Sequence, residues 1–101
     1  MNTSPPQINA AIQLMPLCEK SKAMLLIDEA IAVIRNSGLT YRVCPFETVV
    51  EGTYEQVMQL VKEIRDSTFN HGGDELVINL KLQFHRNEDL YFTDKTQKHE
   101  Q

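Results

Sequence analysis

Apolar residues recur along this chain with two different periods, and the shorter period marks strands. Apolar and polar residues alternate over residues 8–14 and again, most clearly, over residues 76–85, as in strands with one buried face. Short β-branched and aromatic runs at residues 40–44 and 48–51 predict two further strands. Pro45 falls between them, in a turn, because proline cannot donate a hydrogen bond to a sheet. The pattern therefore predicts four strands.

Two stretches between these strands have the longer period, which is typical of amphipathic helices. The first runs from about Ser21 to Ser37, and Gly38 follows it where a helix end favours a left-handed residue. The second begins at Thr53, which forms a potential capping box with Gln56, and it stops at a Gly-Gly pair. The predicted buried faces consist of Ala23, Ile27, Ala30, Ile31 and Ile34 in the first helix and Val57, Leu60, Val61, Ile64 and Thr68 in the second.

The resulting order, βαββαβ, is that of a ferredoxin-like α+β domain, also described as a split βαβ unit. Right-handed crossovers place both helices on one face of a four-stranded antiparallel sheet with strand order 4-1-3-2. We expect a single domain over residues 1–101, with its core at about 7–85. Residues 86–101 are predicted to form a C-terminal tail, in which the apolar residues 90–92 are candidates for attachment to a neighbour.

The sheet face without helices is predicted to be broad and of mixed polarity. Its residues would be Asn9, Ala11, Gln13, Val77, Asn79, Lys81 and Gln83. Such a face is too polar for a core and unusual to leave bare, and the outer strands 2 and 4 add unpaired edges. We therefore expect a homodimer or homotetramer. Strand 1 offers no aromatic side chain to stack nucleic-acid bases on this face, which argues against an RNA-recognition domain.

Composition restricts the possible partners further. The 101 residues are 42% hydrophobic and 24% charged, as in ordinary globular domains, and carry a net charge of −4. An acidic chain is a poor match for nucleic acid, which is usually held by clustered lysine and arginine. No apolar run approaches the roughly 20 residues of a membrane helix, and the first residues do not resemble a signal peptide. We expect a cytoplasmic protein that contacts neither nucleic acid nor membrane.

The sequence contains no motif that predicts catalysis, a metal site or a cofactor. The usual nucleophile, metal-protease and phosphate-loop signatures are missing, and His71, His85 and His99 are dispersed. Cys18 and Cys44 follow strands 1 and 2, which lie two inter-strand spacings apart, about 9.5 Å. A disulfide requires Cα atoms within about 7 Å, so we expect two free thiols. Cys44 also lacks a visible histidine partner that would make it a nucleophile.

Three connections are predicted to meet at one end of the sheet. They are residues 18–22, which lead into the first helix, the hairpin turn at 45–48, and the loop 71–74 that leads into strand 4. The start of the first helix lies at the same end and offers unpaired amides. A ligand site, if the domain has one, is expected there.

Two sequence stretches resemble a known family. They are Asn36–Tyr41, with the sequence NSGLTY, and Pro45–Gly52, with the sequence PFETVVEG. At this spacing they are similar to the thiamine-binding (hydroxymethylpyrimidine-binding) proteins of ferredoxin-like fold, and the similarity extends over roughly residues 8–95. The resemblance implies non-catalytic binding of thiamine or its pyrimidine by a homo-oligomer, often a dimer of dimers. It also implies a pocket at the turn that carries Thr48 and at the start of the first helix. Members commonly have small hydroxyl and glycine residues before that helix, where this chain has Glu19–Lys22.

The candidate ligand contacts are Thr48, Glu47, Phe46, Ser21 and Lys22. The two hydroxyls and the carboxylate suit the ring nitrogens and exocyclic amine of the pyrimidine and the positive thiazolium of thiamine. Phe46 offers a flat apolar wall. Lys22 fits only if its ammonium group turns away from the thiazolium. Glu47 occupies a position where family members commonly have a smaller residue.

Two functions of other classes stay open. A small dimeric ferredoxin-like enzyme, oxidative or isomerising, would need a proton-transferring group on the open face of the sheet. His85, at the end of strand 4, is the only candidate for that role in the sequence. A regulatory or assembly module without a free ligand of its own is the other alternative.

Overall fold

The computed structural model describes residues 5–92 and contains the six predicted elements in the predicted order. They are β1 (Ile8–Pro16), α1 (Lys20–Asn36), β2 (Thr40–Val43), β3 (Thr48–Gly52), α2 (Tyr54–Asn70) and β4 (Leu76–Gln83). The strands form one antiparallel sheet in the order β2-β3-β1-β4, which is the predicted 4-1-3-2 order read from the other edge. Both helices pack on one face of this sheet, so the ferredoxin-like α+β fold is confirmed.

The two helices begin with different capping residues. Thr53 caps α2 as the sequence predicts: its hydroxyl accepts a hydrogen bond from the Gln56 amide at 3.2 Å, and the Gln56 side chain accepts one from the Thr53 amide at 2.9 Å. The first helix is capped instead by Glu19, whose carboxylate accepts a hydrogen bond from the Lys22 amide at 2.9 Å. A carboxylate at this position also favours the positive end of the helix dipole.

Each helix is followed by a glycine in the left-handed region of backbone conformation. Gly38 has φ of 82° after α1, and Gly72 has φ of 96° after α2. The next residue, Gly73, turns the chain back under the helix, because its amide donates to the Thr68 carbonyl at 2.9 Å. The Gly-Gly pair therefore ends α2.

The core lies between the sheet and the two helices. Its buried apolar residues are Ile8, Ala10, Ile12, Leu26, Ala30, Ile34, Val50, Val57, Leu60 and Ile64. The first helix is rotated by about one residue from the predicted orientation, since Leu26 is buried and Ile27 is only half-buried. As a result Ile27 and Ile31 lie at the side of the helix that faces the β2–β3 turn. This rotation places two apolar side chains at the end of the sheet where a ligand was expected.

Residues 84–92, the C-terminal segment, fold back across one end of the open face. The Gln7 amide donates to the Asp89 carboxylate at 2.7 Å, and the Leu90 amide donates to the Gln7 carbonyl at 3.0 Å. The Gln7 side-chain amide donates in turn to the Leu90 carbonyl at 3.3 Å. The apolar end of the described tail is thus attached to the beginning of β1 in the same chain.

The segment continues over β3 and β2. The Phe92 amide donates to the Glu51 carboxylate at 2.5 Å, and the Arg42 guanidinium lies 5.8 Å from the centroid of the Phe92 ring. Glu51 and Asn9 both lie on the face without helices, yet they are only 6% and 7% exposed. Asn9 was predicted to be exposed on that face, but it is buried where the C-terminal segment covers the sheet.

Candidate functional site

The three connections expected at one end of the sheet do lie there. Pro16 at the end of β1 pairs with Leu76 at the start of β4, and the Leu17 amide donates to the Glu75 carbonyl at 2.9 Å. The β2–β3 hairpin turn is at the same end, because β3 runs antiparallel to β1 and its first residue, Thr48, pairs with Ile12, the last β1 residue in the register with β3. This end of the fold therefore contains the β1–α1 loop, the α2–β4 loop and the hairpin turn.

A cavity of about 250 Å³, here called the hairpin cavity, lies between the hairpin turn and α1. Its walls are mainly apolar and come from β1, α1 and the turn, with Ile12, Leu14, Ile27, Ile31, Pro45 and Phe46 among the lining residues. Thr48 also lines it and is 7% exposed. Residues alternate between the faces of a strand, and Val50, two residues on, is fully buried under the helices. The Thr48 side chain is therefore directed to the helix side, into the cavity.

Glu47 borders the hairpin cavity, but its carboxylate is engaged on the opposite face of the sheet. There its Oε1 lies 3.6 Å from Nζ of Lys81 on β4. The Glu47 side chain is 33% exposed and the Lys81 side chain 80% exposed, so this ion pair is weak and open to water. The two neighbouring candidates of the turn, Thr48 and Glu47, thus present their polar groups to different faces.

Phe46 stands at the tip of the turn and is 82% exposed. It borders the hairpin cavity but has little contact with the rest of the chain, so its ring is accessible as a wall for a bound molecule. The neighbouring Cys44 amide donates to the Glu47 carbonyl at 2.9 Å, which closes the turn and fixes the position from which the ring projects.

Ser21 and Lys22 lie in the first turn of α1 and are not among the residues that line the hairpin cavity. The Ser21 hydroxyl donates to the Glu19 carboxylate at 2.5 Å, and the Lys22 amide donates to the same oxygen. Both hydrogen bonds lower the pKa of the exposed Glu19 carboxyl, and the one from Ser21 has the larger effect. The hydroxyl that sequence reasoning assigned to the ligand thus serves the helix cap in this structure.

His85, the candidate proton-transferring residue, makes local contacts through both ring nitrogens. Its Nδ1 accepts hydrogen bonds from the amides of Asn87 and Glu88, both at 3.1 Å. Its Nε2 lies 3.8 Å from the Glu88 carboxylate. These contacts stabilise the turn that follows β4.

Cys18 and Cys44 are free thiols, as the strand-spacing argument predicts. Within residues 5–92 there is no group of three histidine, cysteine or acidic side chains arranged to hold a metal ion. The same residues contain no helix that is long and apolar enough to cross a membrane.

A second cavity, of about 400 Å³, lies on the open face and is called the sheet trough here. Arg42, Val49, Ala11 and Lys81 are among its lining residues, and Phe92 forms part of one wall. Sequence reasoning missed this cavity because Phe92 belongs to the C-terminal segment, for which the hydrophobic pattern predicts only a tail. Arg42 and Lys81 were visible in the sequence, but only the strand register places them at opposite sides of one depression.

This chain is similar to several known proteins in sequence and in structure. A Clostridium perfringens protein of the UPF0045 family is 25% identical over 76 residues, which is 75% of this chain and 80% of the relative. The crystal structure of a candidate thiamine biosynthesis or salvage protein from Thermotoga maritima superposes with a TM-score of 0.87 at 27% identity, covering 94% of this chain and 100% of that one. A Bacillus cereus domain of unknown function, DUF77, has the same fold, with a TM-score of 0.90 at 22% identity over 99% of this chain and 96% of that one.

The family model of thiamine-binding proteins matches residues 10–100, which is nearly the whole sequence. This match includes both stretches that carry the sequence resemblance, the end of α1 with β2 and the hairpin with β3. The chain belongs to the thiamine-binding protein family.

Proposed function

We propose that the protein binds thiamine or a related pyrimidine in the hairpin cavity, in the cytoplasm and without chemical reaction. The observation that carries this proposal is the position of Thr48, the hydroxyl-bearing residue of β3, whose side chain lines a mainly apolar cavity at the hairpin end. Small-molecule sites are commonly built in this way, with apolar walls and a few polar groups that fix orientation. Membership of the thiamine-binding family supports the choice of ligand.

The size of the cavity indicates which part of thiamine enters it. Sites for drug-sized molecules commonly measure about 300–1,000 Å³, and the hairpin cavity measures about 250 Å³. It therefore fits the pyrimidine better than the whole of thiamine. The Thr48 hydroxyl can donate to a ring nitrogen or accept from the exocyclic amine, while Ile27 and Ile31 contact the ring faces. The thiazolium would then lie outside, near the exposed Phe46 ring.

The replacement Thr48→Val tests the proposal. Valine keeps the β-branched shape that a strand favours, so the fold should be preserved. A polar atom of the ligand left without its partner costs about 1–3 kcal/mol, which predicts a roughly 5- to 150-fold loss of affinity. Titration calorimetry with thiamine and with its hydroxymethylpyrimidine part measures this loss.

The matched control is Thr40→Val, the same chemical change at an exposed position on β2 of the same hairpin. We expect it to leave affinity unchanged. Equal affinities of wild type and Thr48→Val would remove the site from the hairpin cavity, and absence of binding by the wild type would reject the proposed ligand.

We further propose that the protein acts as a homodimer or homotetramer. The C-terminal segment covers only one end of the open face, and the other end keeps large apolar side chains at its surface. Met15 and Val77, which pair across β1 and β4, are each 38% exposed, and the adjacent Leu17 is 50% exposed. A second copy that covers this end would remove them from water. Light scattering that shows only monomers at micromolar concentration would contradict this proposal.

A further inference from the structure

A row of four residues crosses the open face from one edge of the sheet to the other. Arg42 on β2 pairs with Val49 on β3, Val49 pairs with Ala11 on β1, and Ala11 pairs with Lys81 on β4. Two basic residues therefore stand on the outer strands, and two small apolar residues lie between them. Three inter-strand spacings separate the outer Cα atoms by about 14 Å. This row forms the floor and both ends of the sheet trough, whose volume is about 400 Å³.

The C-terminal segment turns this row into a concave site. Because the Glu51 carboxylate holds the Phe92 amide, the segment lies over the neighbouring row of the sheet and raises a wall beside Ala11 and Val49. Without that wall the open face would be an ordinary sheet surface. Glu51 uses its carboxylate to hold the wall and is only 6% exposed.

Arg42 is held in position at one end of the trough. Its guanidinium lies 5.8 Å from the centroid of the Phe92 ring, and within residues 5–92 no carboxylate lies at salt-bridge distance from it. A guanidinium placed against an aromatic ring keeps its N–H edge available for a carboxylate or phosphate. At the other end Lys81 shares its charge with Glu47 in a long, exposed pair. Among the described residues, Arg42 is thus the positive group of the trough without a carboxylate at salt-bridge distance.

We propose that the sheet trough is a second binding site, for a small organic anion with a flat apolar body. The anionic group, a phosphate or a carboxylate, binds to the Arg42 guanidinium. The flat body lies on Val49 and Ala11, whose small side chains leave space for it. The far end of the molecule contacts Lys81. The trough lies on the opposite face of the sheet from Thr48, and the two cavities share only Cys44 and Glu47 of the hairpin turn at their borders.

Phenyl phosphate is a suitable probe, because it combines a flat body with one anionic group. We expect saturable binding in titration calorimetry, and weaker binding of both phenol and inorganic phosphate. Benzoate serves as the carboxylate counterpart, and the tighter of the two aromatic anions identifies the preferred anionic group. Arg42→Gln should weaken phenyl phosphate binding by about tenfold or more, since a hydrogen bond between charged groups is lost.

Two controls match the charge change outside the trough. Arg35→Gln on α1 corresponds to Arg42→Gln, and Lys62→Gln on α2 corresponds to Lys81→Gln; both control residues are exposed. We expect the controls to keep the wild-type affinity and Lys81→Gln to lose severalfold. An equal loss in the controls would show a general charge effect and overturn the proposal. Equal affinity for phenol or for inorganic phosphate would also overturn it.

A measurement on the wild type does not depend on how the variants fold. In methyl NMR spectra, phenyl phosphate should shift the signals of Ala11 and Val49 but not that of Thr48. Thr48→Val should bind phenyl phosphate as the wild type does, whether or not the protein binds thiamine. Shifts at Thr48 without shifts at Ala11 would place the anion in the hairpin cavity and refute the second site.

Discussion

Replacement of Gly73 by alanine tests whether the chain needs a glycine at this position to pack closely against α2. Gly73 does not need the left-handed region, since only Gly38 and Gly72 have positive φ among the described glycines. The space between Gly73 and α2 is nevertheless occupied by other atoms. An added Cβ would lie 2.8 Å from the Thr68 methyl carbon, 2.9 Å from the Thr68 carbonyl oxygen and 3.3 Å from a methyl carbon of Leu26.

These distances set the size of the expected effect. Carbon atoms in contact prefer about 3.5–4.0 Å, so the new Cβ overlaps the Thr68 methyl by roughly 0.7 Å or more. The backbone cannot move aside freely, because the Gly73 amide is bonded to the same Thr68 carbonyl. Overpacking of this kind costs about 1–3 kcal/mol. The lower entropy of the unfolded alanine chain offsets about 0.4–1 kcal/mol of it. We expect a net loss of about 1 kcal/mol in the free energy of unfolding.

Urea denaturation followed by circular dichroism, at one fixed protein concentration, measures this loss. A double-mutant cycle with Thr68→Ser identifies its cause, since serine lacks the methyl but keeps the hydroxyl that bonds the Ile64 carbonyl at 2.8 Å. The two changes should be less destabilising together than their sum.

Gly72→Ala is the matched control for the cycle. It is strained by its φ of 96°, at a cost of about 1–2 kcal/mol, but its new Cβ meets nothing closer than 3.8 Å. Its effect should therefore add to that of Thr68→Ser. An unchanged stability of Gly73→Ala, or a strictly additive cycle with Thr68→Ser, would refute the packing argument.

Three further predictions concern the caps and the thiols. Thr53→Ala should lower the free energy of unfolding by about 1 kcal/mol through loss of the α2 cap, measured by urea denaturation. The Glu19 carboxyl should titrate below its ordinary pKa in NMR; its contribution to stability is then present above the unfolded pKa and is lost as pH falls through the lower folded pKa. Thiol titration of the unfolded, unreduced protein should find Cys18 and Cys44 both free, and a value of zero would mean that they pair between chains.

Much of the fold could be predicted because its signals are local. Alternation over β1 and β4, the capping box at Thr53 and the left-handed glycine after α1 each depend on residues a few positions apart. Together with the handedness of crossovers they specify the strand order. The exact orientation of α1 was harder, because a helical period tolerates rotation by one residue. Leu26 and Ile27 are equally apolar, and only packing against the sheet selects Leu26 for the core.

The candidate site could be predicted only in part. Topology predicted the end of the sheet at which the three loops and the hairpin cavity lie. Strand alternation explains why the Thr48 side chain is directed to the helix side while the Glu47 carboxylate pairs with Lys81 on the other face. The capping role of Glu19 was missed because glutamate is not a usual N-cap residue. The covering of the open face could not be predicted either, because it depends on a hydrogen bond between Gln7 and Asp89, 82 positions apart. No periodic pattern signals such a contact.

The position of β1 in the sheet has a consequence for synthesis of the chain. One of its neighbours, β3, is complete by Gly52, whereas the other, β4, begins only at Leu76. A chain that terminates between these residues would leave β1, with its apolar face, as an open edge that can pair with other molecules. Nascent or prematurely terminated chains that lack β4 are therefore expected to aggregate. Cleavage after Gln83, in contrast, leaves every strand of the sheet with its partners.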